Sequence, residues 1–211
     1  MAFPGNKLKS LYKEGISCRN AGAFGAAKRC FKEIVLRDSS YALAYLQLAE
    51  IAALEEVYPE SIGYYKHYLQ LEEEQSGAWY TIGVLYFNTK EYSAAVTAFE
   101  MALAKGRRKD ADICLTAGMS CLQMKATQKG IQYLENCLAF RPDDPRALQA
   151  LAHHYYLAGS YQLAVSYWDR LLSIQPGNAF AMFMLGKSYI GTGEVNRGEA
   201  LCDKALAAAP I

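Results

Sequence analysis

A pattern of small residues returns six times along this chain, at intervals of 34, 34, 35, 34 and 34 residues. With windows opened at Leu8, Ala42, Ser76, Ala111, Pro145 and Ala179, the eighth position holds Gly15, Ala49, Gly83, Gly118, Ala152 and Gly186. The twentieth holds Ala27, Ser61, Ala95, Gly130, Ala164 and Gly198. A fixed period of this length marks one supersecondary unit stacked on copies of itself. Such arrays serve binding more often than catalysis, and that is the expectation here.

Each window reads as two amphipathic helices. In the third, Trp79, Ile82, Gly83 and Tyr86 recur at i, i+3, i+4 and i+7, which is one face of a helix. A turn follows near position 15, marked by Gly22, Lys90, Gly159 or Gly193. The second helix repeats the pattern at positions 20, 24 and 27, as Ala95, Phe99 and Ala102 or as Ala164, Trp168 and Leu171. Small residues at positions 8 and 20 belong where the paired helices cross, because a missing side chain lets two backbones approach. Pro142, Pro176 and Pro210 fall at position 32, where proline stops a helix, and Pro145 opens the next one.

This layout resembles the tetratricopeptide repeat (TPR) family: a large residue at 4, Leu-Gly at 7 and 8, Tyr at 11, Ala at 20, an aromatic at 24, Ala at 27 and Pro at 32. The departures are Glu14 at position 7, the missing prolines at Ser39, Glu73 and Arg107, and the soft fourth window with Cys114, Ala117 and Cys121. The resemblance implies an all-α fold: a right-handed superhelical solenoid of about six helix-turn-helix repeats. Residues 1–7 are expected as a leader. One solenoid over residues 8–211 follows, with repeats 8–41, 42–75, 76–110, 111–144, 145–178 and 179–211. No further helix follows the alanine-rich stretch before Pro210 and Ile211. The last repeat is therefore expected to present an uncapped end, covered by more of a longer chain or by another molecule.

The resemblance also implies a concave groove lined by the first helix of each repeat, through positions 2, 5, 9 and 12. Those positions are apolar and aromatic in the central windows. The expected partner-binding residues are Tyr12, Leu46, Tyr80, Val84, Phe87, Leu115, Met119, Leu122, His153, Tyr156 and Phe183. Chaperone-binding relatives carry a Lys/Asn/Arg clamp for a terminal carboxylate, and no three successive windows here satisfy it. The expected ligand is a partner segment with apolar anchors.

Catalytic and cofactor signatures are missing, so no enzyme, cofactor or metal is expected. His153 and His154 are adjacent, hence about 100° apart on a helix, and His67 is isolated. Gly186, Gly191, Gly193 and Gly198 fall at crossings and turns, outside a phosphate-loop register. Cys18, Cys30, Cys114, Cys121, Cys137 and Cys202 sit mostly at packing positions and read as reduced, inert thiols. With no signal peptide and no long apolar run, the chain is expected in the cytoplasm or peripherally on a membrane or organelle surface.

The net charge of +1 gives no general pull toward nucleic acid. The distribution is uneven: the first window carries seven basic and three acidic residues, the second seven acidic residues and Lys66. That contrast suggests homo-oligomers that pair basic with acidic patches. The expected partners are other proteins or peptides, with no nucleic acid and no membrane insertion. Gly15-Ile16-Ser17 with Ala21-Gly22, and residues 192–198, are similar to the magnetosome-associated TPR scaffold proteins of magnetic bacteria. That likeness would imply a self-assembling organelle coat. A secretion chaperone and the recognition arm of a larger enzyme are the other readings.

Overall fold

The computed structural model describes residues 4–208, which form twelve α-helices and no strand among the described residues. They pair as α1 (Pro4–Asn20) with α2 (Phe24–Arg37), α3 (Ala42–Leu54) with α4 (Tyr58–Leu71), and α5 (Ser76–Asn88) with α6 (Tyr92–Ala104). The remaining pairs are α7 (Ala111–Gln123) with α8 (Thr127–Phe140), α9 (Pro145–Leu157) with α10 (Tyr161–Ile174), and α11 (Ala179–Gly191) with α12 (Val195–Ala208). Helices α3, α5, α7, α9 and α11 begin on the first residue of their windows. Helix α1 begins at Pro4, so residues 4–7 of the expected leader belong to the first helix. The position-32 proline at Pro210 lies outside the described residues.

Helix pairs close at the small residues, as their spacing requires. In the third repeat a Cβ on Gly83 would stand 2.7 Å from the Phe99 ring. In the sixth, one on Gly186 would stand 2.6 Å from the Gly198 carbonyl oxygen, and one on Gly198 2.5 Å from that of Gly186. In the second repeat, Ser61 at position 20 donates its hydroxyl to the Ala49 carbonyl at position 8, at 2.8 Å. The turn inside every repeat passes through one left-handed residue: Gly22, Glu56, Lys90, Lys125, Gly159 and Gly193. Glycine takes that conformation freely, whereas Glu56, Lys90 and Lys125 hold it at a cost of about 1 kcal/mol each.

The chain divides into two compact units between Arg108 and Lys109. The division falls in the connection at residues 105–110, longer than the others, which accounts for the single 35-residue interval. Unit 1 contains α1–α6, in contact in sequence order. Its core holds Ala27, Phe31, Ile34, Leu48, Ile51, Ile82 and Phe99, each nearly or fully buried. Unit 2 contains α7–α12, and there α7 touches α9 and α9 touches α11 as well. Its core holds Cys114, Ala117, Cys121, Leu134, Leu148, Leu151, Ala164, Trp168 and Leu171 at 0% exposure. Cys114, Ala117 and Cys121, the soft positions of the fourth window, are small enough for α7 to lie close to its neighbours. Burying each large apolar side chain contributes about 2 kcal/mol, so the periodic residues carry most of the stability.

Candidate functional site

The expected groove residues separate by unit. In unit 1 they are occupied by their own chain. Tyr12 packs edge-on against Phe31, with ring centres 5.6 Å apart, and tilts onto Tyr41 at 5.7 Å. The Arg107 guanidinium lies 3.7 Å over the Tyr80 ring, which also meets Phe99 at 5.9 Å. Phe87 packs edge-on against Tyr92 at 5.9 Å. Leu46 and Val84 are half-buried. Each of these ring contacts is made within one repeat.

Arg19 on α1 is hydrogen-bonded to Gln47 and Glu50 on α3. Lys28 meets Glu55 at 2.6 Å and Lys32 meets Glu60 at 3.5 Å. Lys105 meets Glu74 at 2.6 Å and Glu73 at 3.2 Å, and these hydrogen bonds raise its pKa. The basic first window and the acidic second window therefore face one another within the chain. Three of the seven basic residues of the first window are matched in this way to three of the seven acidic residues of the second. Exposed pairs contribute only about 0–1 kcal/mol each, so their main effect is to fix which repeat faces which.

Unit 2 is open. A cavity of ≈ 710 Å³ lies along the first helices, with Met119, Leu122, Ala150, Leu157 and Phe180 supplying apolar surface. Gln123, Gln149, Lys125, Arg146, His153 and His154 supply polar groups around it. Leu157 is 69% exposed and Phe180 51%. Two large apolar side chains thus stand in water beside a cavity of this size, which makes this face the candidate site. Of the expected residues, Met119, Leu122 and His153 come together here. Leu115 is corrected: at 2% exposure it is core and offers nothing to a partner. Tyr156 and Phe183 are half-buried outside the lining. Tyr156 packs on Tyr161 at 5.7 Å, and the Phe183 carbonyl accepts from the Cys202 thiol at 3.6 Å.

Phe180, Leu157 and Arg146 belong to the site and were absent from the expected set. Phe180 and Arg146 stand at position 2 of their repeats, a groove position, so the register pointed to them. Position 5, which Phe183 also occupies, is turned into the core at Leu115. The two histidines share this cavity despite their divergent directions, because it wraps around α9.

The helices that carry the groove are firmly started. Asp110 accepts from the Ile113 amide at 3.0 Å, Asp144 from the amides of Arg146 and Ala147 at 3.1 Å each, and Asn178 from Ala181 at 2.9 Å. These side chains cap α7, α9 and α11, where the first backbone amides lack partners inside the helix. The capping residues of α3 and α5, Tyr41 and Gln75, make no such bond.

All six cysteines are unbridged, four of them buried. Burial pushes the Cys137 thiol up to about 11, so it is protonated and unreactive near neutrality. Among the described residues, no cluster of three or more His, Cys, Asp or Glu is placed to hold a metal ion. None of their helices is long and apolar enough to cross a membrane.

Comparison with known proteins follows the repeat. Family models described as tetratricopeptide repeat match residues 150–210, 76–104 and 111–144. The cell division cycle protein 16 homolog of Homo sapiens is 23% identical over 152 residues, covering 67% of this chain and 24% of that protein. The Mus musculus homolog is 24% identical over 147 residues, so the chain spans about a quarter of the length of these relatives. Among solved structures, YrrB, a TPR protein with an unusual peptide-binding site, superposes with a TM-score of 0.72 at 20% identity, covering 85% of this chain and 92% of its own. MamA superposes at 0.73 and 18% identity, covering 79% and 91%. At these identities the structural likeness speaks for the fold alone.

Proposed function

The chain belongs to the tetratricopeptide repeat family, a family of protein-interaction modules, and from that premise we propose that it is a non-enzymatic adaptor that holds a partner segment in the groove of unit 2. The observation that carries this reading is the cavity along the first helices of unit 2. It joins solvent-held Leu157 and Phe180 to Met119 and Leu122 on a face whose helices are individually capped. The likeness to YrrB, which has a peptide-binding site, supports a peptide as the occupant. The mechanism is binding energy and geometry: an apolar anchor desolvates against Phe180 and Met119, and the polar side chains around them orient it.

Site-directed photocrosslinking in the native cell tests this. A photoreactive residue at His153 should form adducts with a discrete partner set, and one at Gln132, on the exposed part of α8, should not. Identical adducts from both positions would count against the groove. Self-assembly of the magnetosome-coat kind is separable by sedimentation velocity. A mass that stays monomeric across concentration and salt would count against it.

A further inference from the structure

The polar residues around the unit 2 groove specify the charge of its ligand, an inference that rests on the groove binding a partner segment. We propose that the groove takes an extended peptide with an apolar centre and a carboxylate at each end, the two acids about six residues apart at ~3.3 Å per residue.

The cavity is lined by two permanent cations, Lys125 and Arg146, and by no carboxylate. Neither cation joins an ion pair among the described residues. In unit 1, Arg19, Lys28, Lys32 and Lys105 are all matched to carboxylates. In unit 2, Arg141 is matched to Asp112 and Arg197 to Glu194. Both unpaired cations line the cavity that holds exposed Phe180.

Position in the repeat sets the spacing. Lys125 follows the last turn of α7, and Arg146 is the second residue of α9. Each short turn reverses the chain, so α7 and α9 run in the same direction and the two cations mark opposite ends of the groove. Along helices of this length that separation is on the order of 20 Å, which gives the six-residue interval. An extended ligand fits better than a helix because Gln123 and Gln149 also line the cavity. A carboxamide both donates and accepts, which matches the main-chain amide that an extended segment presents and a helix satisfies internally.

The test uses the full chain and three fluorescent nonapeptide libraries with mixed Leu, Met, Phe and Val at the centre. The second and eighth residues are Glu in the first library, Gln in the second and Lys in the third. In low salt the Glu library should bind about tenfold more tightly than the Gln library, and the ratio should fall toward one at about 0.5 M salt. The double variant Lys125→Glu, Arg146→Glu, both at exposed positions, should turn the preference to the Lys library. Equal affinity for Glu and Gln peptides in low salt, with both lost in Phe180→Glu, would overturn the charge selection and leave the groove standing. Failure of all three libraries to bind, or binding untouched by Phe180→Glu, would overturn the groove and this inference with it.

Discussion

The two units are built on one period and solve the same packing problem in opposite ways. In unit 1 long side chains engage one another: Tyr12 reaches Tyr41 and Arg107 covers Tyr80 within their repeats, and Arg19 reaches Gln47 and Glu50 of the next repeat. In unit 2 the small residues Cys114, Ala117 and Cys121 of α7 are fully buried, and the first helices touch, α7 with α9 and α9 with α11. The consequence is functional. Where long side chains partner one another, as at Tyr12, Tyr80 and Phe87, the aromatic face is engaged by its own chain. Where the backbones do the packing, side chains such as Phe180 and Leu157 are left for something else.

The largest effect should come from adding one methyl group at each kind of crossing. At Gly186 the new Cβ meets backbone at 2.6 Å, which cannot rotate away, and Gly186→Ala should destabilise unit 2 by about 3 kcal/mol. At Gly83 it meets the Phe99 ring at 2.7 Å. A ring can shift by a few tenths of an ångström, and alanine recovers about 1 kcal/mol of helix propensity, so Gly83→Ala should cost about 1 kcal/mol. Amide hydrogen exchange resolves the units separately. Equal costs would mean that the two crossings are built alike.

The caps give the next contrast. Asp144 is 5% exposed and holds two amides at the start of α9, and Asp144→Ala should cost about 1–2 kcal/mol. Replacing Gln75, which makes no side-chain cap bond for α5, should move the urea midpoint hardly at all. Because α9 carries Arg146, Gln149 and His153, the Asp144 variant should also fray the groove. Exchange rates in the first turn of α9 should rise ahead of those in α10.

Much of this was legible in the sequence. The small residues at positions 8 and 20 announced the crossings, and five helices begin on the residue that opens their window. The turns were marked by Gly22, Lys90, Gly159 and Gly193, while Glu56 and Lys125 hold the same left-handed geometry with side chains that give no warning. The groove was legible as a set of positions and less so as a set of residues. Register says which way a Cα–Cβ bond points. Whether an aromatic at that place stays free depends on long-range partners such as Arg107 over Tyr80, and on burial at a single position, as at Leu115. The charge contrast of the first two windows was visible, but its meaning was not. Only the helix register shows Lys28 against Glu55 and Lys32 against Glu60.

Alkaline pH should strain the units at different points. Burial raises the Cys137 thiol from 9.0 to about 11 in unit 2, and raises the Tyr65 phenol from 10.0 to about 12 in unit 1, with Glu50 adding to the latter. In both cases the folded state holds the proton more tightly than the unfolded one. The contribution is therefore complete below the ordinary value and is lost as pH rises through the folded one. The Cys137 dependence in unit 2 should fall between pH 9 and 11 and the Tyr65 dependence in unit 1 between pH 10 and 12, while burial of Cys30, which raises its thiol above 9.0, adds an earlier loss in unit 1. Cys137→Ala should flatten the first dependence and Tyr65→Phe the second, read as urea midpoints or exchange rates against pH. A dependence that neither substitution changes would break the assignment.

The smallest effect separates structure from function within one pair of substitutions. Lys90 in unit 1 and Lys125 in unit 2 occupy the same turn position, at φ 63 and φ 60. Replacing either with glycine relieves the left-handed strain and gives back part of that gain as unfolded-chain entropy. Each variant should therefore be more stable by about 0.5 kcal/mol. Their stabilities should be indistinguishable, because the backbone problem is the same. Their binding should differ, because Lys125 lines the groove and Lys90 does not. Lys125→Gly should weaken acidic-peptide affinity a few-fold in low salt while Lys90→Gly leaves it unchanged. If the two lysines proved equivalent in both measurements, the groove of unit 2 would lose its charged end, and the difference between the units would reduce to packing alone.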